Sequence, residues 1–96
     1  MTLALSLFLK EKGEPLPGKL AVISPVTDLE DTFLSRTLRD ERDPMILSTV
    51  GRDMLRHYYD GKSPKDPLCS VRYADYSGFP AVYIGVSSEE VLYDDA

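Results

Sequence analysis

Two stretches of the chain carry unbroken apolar side chains and predict buried strands. Lys19–Ser24 (Lys-Leu-Ala-Val-Ile-Ser) runs without alternation and stops at Pro25. That is the pattern of a parallel strand covered on both faces, since a half-wet strand alternates. Pro80–Val86 (Pro-Ala-Val-Tyr-Ile-Gly-Val) repeats it, with proline tolerated at the first position. Around these runs the period lengthens to that of helices. Thr2–Lys12 is rich in Leu and Ala and stops at Gly13, and its polar stripe is only Thr2, Ser6 and Lys10. A helix so apolar around its circumference is buried on most sides, so something larger is expected to cover it. Leu47, Val50, Met54 and Tyr58 share one face of a second helix, from a Ser48 cap to about Asp60, with Gly61 as its stop. Thr32–Asp43 mixes signs, with Arg36 four residues before Asp40 and Arg39 four before Asp43. This predicts a short solvated helix or loop laced by i,i+4 pairs. Glu14–Gly18 and Ser63–Asp66 are turn segments, and Asp66–Gly78 is irregular. Ser87 and Glu90 form the S-x-x-E capping box of a further helix.

This alternation predicts an α/β architecture. The expected form is one partial three-layer αβα domain over residues 1–96, with two parallel strands flanked by helices. Two strands leave both sheet edges open and make a marginal sheet, so the chain reads as an interior slice of a larger α/β protein. Sites in such sheets lie at the carboxyl ends of the strands. Those ends carry Ser24-Pro25-Val26-Thr27-Asp28 and Ser87-Ser88-Glu89-Glu90. Adjacent strands would put Asp28 and Glu89 on one rim.

Composition narrows the function. With 43% hydrophobic and 28% charged residues among 96, the chain is neither a disordered tail nor a membrane bundle. A net charge of -5 argues against a nucleic-acid partner, because phosphate binding needs a basic face. The single cysteine, Cys69, excludes an internal disulfide and fits a reducing compartment. With the single histidine, His57, it also excludes a zinc site of His and Cys alone. Met1–Leu9 lacks the basic flank and cleavage site of a secretion signal and is too short to span a bilayer. A cytoplasmic location without a membrane span is expected.

Candidate chemistry is sparse. Gly85-Val86-Ser87-Ser88-Glu89 approaches the nucleophile elbow G-x-S-x-G in a strand–turn–helix context, but Glu89 replaces the closing glycine. Helix capping is the better account of Ser87. Glu89 is either an acid favoured in a first helical turn or a carboxylate that orients a histidine during proton transfer. His57 is a poor partner for it, because it lies mid-helix and precedes the acid in the chain. Glu89, Glu90, Asp94 and Asp95 lack calcium-loop spacing, so no metal is expected. Cys69 has no activating neighbour in sequence and is expected to be a small buried residue.

Six stretches in order resemble the hormone-sensitive-lipase-like branch of the α/β-hydrolase fold, over nearly the whole chain. Thr2–Leu7 resembles the helix that follows the branch's G-D-S-A-G-G nucleophile. Leu16–Leu29 resembles the next strand and its S-P-W-x-D-L signature, with Val26 in place of Trp. Arg42-Asp43-Pro44-Met45-Ile46 resembles R-D-P-x-L, and Asp66-Pro67-Leu68-Cys69-Ser70 resembles D-P-L-A-S-P. Tyr76–Pro80 resembles the L-x-G-L-P-P lead into the strand before the acid. Glu89–Ala96 (Glu-Glu-Val-Leu-Tyr-Asp-Asp-Ala) resembles D-E-V-L-L-D-D-A, whose first residue is the triad acid. The resemblance implies an esterase or lipase-like hydrolase of acyl esters, with Glu89 as the acid and Asp28 bracing the rim by hydrogen bonds to backbone. It implies no cofactor. It also implies an upstream oxyanion loop and serine and a downstream histidine, which this sequence lacks. The chain is therefore expected to be truncated at both ends, inactive alone and prone to self-association. The alternative is a non-enzymatic small acidic protein folded on a partner.

Overall fold

The structure, a computed structural model, describes residues 1–46 and 48–96, with the side chains of Ser48 and Thr49 outside the description. Helix α1 (Thr2–Glu11) leads to strand β1 (Lys19–Ile23), a short helix α2 (Ser35–Leu38), helix α3 (Ser48–Tyr59) and strand β2 (Ala81–Gly85). Single 3₁₀ turns lie at Val71–Tyr73 and Tyr93–Asp95. The two strands pair in parallel, from Lys19 opposite Ala81 to Ile23 opposite Gly85.

Chain chemistry explains where the elements stop. Gly13 takes φ +70° after α1. Its N–H donates to Lys10 O at 3.0 Å and that of Glu14 to Leu9 O at 2.9 Å, the paired bonds of a glycine C-cap. Gly61 takes φ +72° after α3. The core lies on one face of the sheet, where Leu20 and Val22 meet Leu3 and Leu7 of α1 and Val71.

Two expected coverings are incomplete within this chain, and one expected face is corrected. The strands are covered on one face within this chain: Leu20 and Val22 are buried, while Ile23 is 82% and Tyr83 68% exposed on the other face. α1 likewise buries only Leu3, Ser6 and Leu7, leaving Leu5 and Phe8 exposed. On α3 the expected face is exposed at Val50, Met54 and Tyr58, and Gly51, Leu55 and Tyr59 are the half-buried positions. The Leu47 contact and the Ser48 cap lie outside the described residues.

Candidate active site

β1 ends by bending. Ser24 adopts φ 45° while donating its N–H to Gly85 O at 2.8 Å, so the chain leaves the sheet at the carboxyl rim. The loop beyond is irregular but buried at Thr27, Asp28 and Leu29. Asp28 has no exposed surface. Its carboxylate accepts the N–H of Glu30 at 3.0 Å, the N–H of Thr32 at 2.9 Å and the Thr32 hydroxyl at 2.6 Å. Arg72 Nη1 lies 3.3 Å away. Burial pushes this carboxyl up, but the bonds from Thr32 and Glu30 and the Arg72 charge outweigh it and hold it below the ordinary value.

Glu89 lies in the turn after β2. Its side chain is 57% exposed, with Oε2 3.6 Å from the equally solvated Arg42 Nη1. Such an exposed pair fixes little. The expected helix from Ser87 does not form. Half of the capping box does: Ser87 N–H donates to Glu90 Oε1 at 3.1 Å, while Ser87 Oγ accepts from Glu89 N–H at 3.3 Å. A helix would next need Val91 N–H on Ser87 O. That N–H instead donates to Asp43 Oδ2 at 3.0 Å. Val91 O accepts the Ser35 hydroxyl at 2.7 Å, and Ser35 Oγ accepts Asp94 N–H at 3.1 Å. The segment is a run of turns ending in a 3₁₀ turn.

The Arg36–Asp40 and Arg39–Asp43 pairing in a solvated segment is also corrected. Arg36 is 4% exposed and grips Asp95, whose side chain is fully buried. Nη2 lies 2.6 and 2.8 Å from the two Asp95 oxygens and Nε 3.0 Å from Oδ2. The same Nη2 donates to Asp28 O at 2.6 Å. Asp95 Oδ1 accepts the N–H of Thr27 at 2.8 Å and of Asp28 at 3.0 Å. Burial alone would depress the Arg36 pKa, but the Asp95 and Asp31 carboxylates raise it, so the guanidinium stays charged. Arg39 stacks over the Tyr93 ring at 4.0 Å. Asp43 accepts the N–H groups of Met45 and Ile46, both at 2.9 Å, besides that of Val91.

The structure thus joins the rim loop after β1, the α2 segment and the Glu89 turn into one polar cluster. Arg36, Ser35 and Asp43 were not singled out for a site by sequence reasoning, and Asp95 was considered there only as a cation ligand. Their long-range partners lie 48 to 68 residues away, beyond the reach of local spacing. His57 is exposed on α3. Cys69 is half-buried, and burial together with the Asp66 charge raises its thiol pKa. Among the described residues no group of three or more His, Cys, Asp or Glu side chains could hold a metal ion. An apolar cleft of about 400 Å³ opens beside the cluster, lined by Val26, Met45, Ile46, Val50, Met54 and Val91. No helix among the described residues is long and apolar enough to cross a membrane.

Comparison with known proteins defines the class. The model of the alpha/beta hydrolase fold family matches residues 1–96, and the chain belongs to that family. An acetyl-hydrolase of Streptomyces hygroscopicus is 40% identical over 88 residues, covering 92% of this chain and 29% of the relative. An esterase of Acinetobacter venetianus is 34% identical over all of this chain and 32% of its own length. Among solved structures, EstE5 soaked in ethyl alcohol superposes with TM-score 0.93 at 34% identity, over 98% of this chain and 32% of that one. An esterase of the bacterial hormone-sensitive lipase family superposes with TM-score 0.91 at 35% identity, over 97% and 31%. The resemblance drawn from the motifs is borne out. The chain spans about a third of the length of these relatives.

Proposed function

We propose that this chain is part of a carboxylic-ester hydrolase and supplies the acid of its Ser–acid–His triad, Glu89. The observation that carries the reading is the position of Glu89. It lies in the turn after β2, at the carboxyl rim of a parallel sheet, in a stretch that resembles the family's acid motif. In the intact enzyme the serine attacks the acyl carbon while the histidine removes its proton. Glu89, ionised, holds the other ring N–H and stabilises the imidazolium. The acyl-serine then passes to water. The substrate class is small-molecule acyl esters. Asp28 holds the neighbouring loop through backbone N–H groups. A cytoplasmic location fits the single free cysteine.

The isolated chain lacks the G-D-S-A-G-G serine, so it has no nucleophile at the elbow and is expected to release no nitrophenol from p-nitrophenyl acetate. The decisive test places residues 1–96 in the homologous segment of the Streptomyces acetyl-hydrolase. Hydrolysis by this full-length chimera should fall roughly 10⁴-fold with Glu89→Gln, the scale on which triad acids act. An unchanged kcat in the folded Glu89→Gln chimera, or turnover by the isolated chain, would refute the assignment.

A further inference from the structure

The Glu89 turn follows β2 but lies beyond its ladder and forms no α-helix. Its geometry rests on Val91, two residues on, which is 2% exposed and buried more fully than any other apolar side chain described. Both backbone polar groups of Val91 are taken by side chains from one distant segment. Asp43 Oδ2 accepts its N–H at 3.0 Å, and the Ser35 hydroxyl donates to its carbonyl at 2.7 Å. Ser35 then accepts Asp94 N–H at 3.1 Å, and its own N–H donates to Asp94 Oδ2 at 2.8 Å. Asp43 is itself held, since its other oxygen accepts the N–H groups of Met45 and Ile46. It is 7% exposed and Ser35 2%, so water does not compete for these bonds.

We propose that Ser35 and Asp43 are positioning residues for Glu89, a role that rests on the reading of Glu89 as the triad acid. Each fixes one side of the same peptide pair, so together they set the height and the rotation of the turn that carries the acid. The segment that carries Asp43 continues into Met45 and Ile46, which line the apolar cleft. Asp43 therefore ties the cleft wall to the acid turn through one carboxylate.

The test uses the full-length chimera with residues 1–96 in place, assayed on p-nitrophenyl acetate. Asp43→Asn keeps shape and volume but loses a carboxylate acceptor, so one of its three N–H partners is left without one. Ser35→Ala deletes the bridge on the other side. Each variant should lower kcat by 10- to 100-fold with KM within about twofold, since a misplacement of an ångström costs roughly 10²-fold. In a Glu89→Ala background neither should lower kcat further, because a residue acting through Glu89 has nothing left to position. The two readings separate cleanly. An unaffected Glu89→Ala chimera removes the acid assignment. A large Glu89→Ala loss beside a normal kcat in both variants overturns the positioning role alone. So does an equal loss of kcat in the presence and absence of Glu89. Asp43→Glu, which restores a carboxylate, should recover part of the rate lost in Asp43→Asn, whereas no recovery counts against the proposal. If Asp43→Asn does not fold, Ser35→Ala decides by the same cycle.

Discussion

Replacing Arg36 with methionine removes the charge at the centre of the polar cluster while keeping an unbranched side chain. Arg36 and Asp95 side chains are 5% and 0% exposed, so solvent screens the pair little. The substitution leaves the Asp95 carboxylate with two backbone N–H partners, Thr27 and Asp28, and no counter-charge. Breaking a buried pair from one side costs about 3–5 kcal/mol. A solvated i,i+4 pair would cost only about 0.3–0.5 kcal/mol. A complete native domain holds only about 5–15 kcal/mol in total, so the loss would be a large fraction of the stability of a protein that contains this pair. Urea unfolding of the full-length chimera with residues 1–96 in place, followed by far-ultraviolet circular dichroism, distinguishes the two. A loss of about 4 kcal/mol at a slope of about 2 kcal/mol per molar lowers the midpoint by roughly 2 M. The double variant Arg36→Met, Asp95→Leu should recover much of that loss, because it removes the stranded charge. A midpoint shift under roughly 0.5 M for the single variant, or a double variant weaker than both singles, would refute the buried-pair account.

Acid should destabilise the chain in a defined window. Asp28 and Asp43 both have folded pKa values below the ordinary 3.8, because bonds from backbone and hydroxyl donors overcome the burial that opposes ionisation. Their contribution is present above the unfolded value and is lost as pH falls through the folded ones. The thermal midpoint should therefore hold from about pH 7 to 5 and fall below about pH 4, less steeply in Asp28→Asn; a midpoint unmoved on acidification through that range contradicts this. Self-association is expected of the isolated chain, since Ile23 and Tyr83 expose one sheet face and each strand pairs only with the other among the described residues. Sedimentation velocity should show mass rising with concentration, and Ile23→Lys with Tyr83→Lys should suppress it; a monomer at all concentrations opposes the prediction.

The elements legible in the sequence are those whose signals are local. Leu20–Ile23 and Ala81–Gly85 announce strands by unbroken apolar character, and Gly13 and Gly61 end helices where they stand. The family was legible too, because its motifs fall in order along the chain. What local spacing could not give is the destination of the charged side chains. Arg36 has Asp40 at helical distance in sequence, yet its buried partner is Asp95, 59 residues on. Asp43 similarly follows Arg39 at helical spacing but spends its carboxylate on Val91 N–H, 48 residues on. The S-x-x-E signature at Ser87 produced its local bond and still no helix, because the next N–H was already taken.

That failure has a physical reason bearing on the whole rim. The chain must leave β1 abruptly, and it does so through left-handed backbone at Ser24 and Asp31, φ 45° and 60°. Neither conformation can continue a helix or a ladder, so the N–H groups that follow need other acceptors, and buried ones must find them. Short polar side chains supply them. Asp95 takes Thr27 and Asp28, Ser70 Oγ takes Leu29 at 2.7 Å, and Asp28 takes Glu30 and Thr32. Asp43 does the same for Val91 across the cluster. Asp28 holds its own loop, while Asp95, Ser70 and Asp43 reach in from other parts of the chain, so the loops are fixed relative to one another as well as within themselves. A rim built this way can be irregular, as a reaction site needs, without being loose. The cost is that carboxylates at positions 28, 43 and 95 sit in the interior: Asp28 and Asp43 are offset chiefly by the N–H and hydroxyl groups they accept, with Arg72 3.3 Å from Asp28, whereas Asp95 depends on Arg36 for its counter-charge.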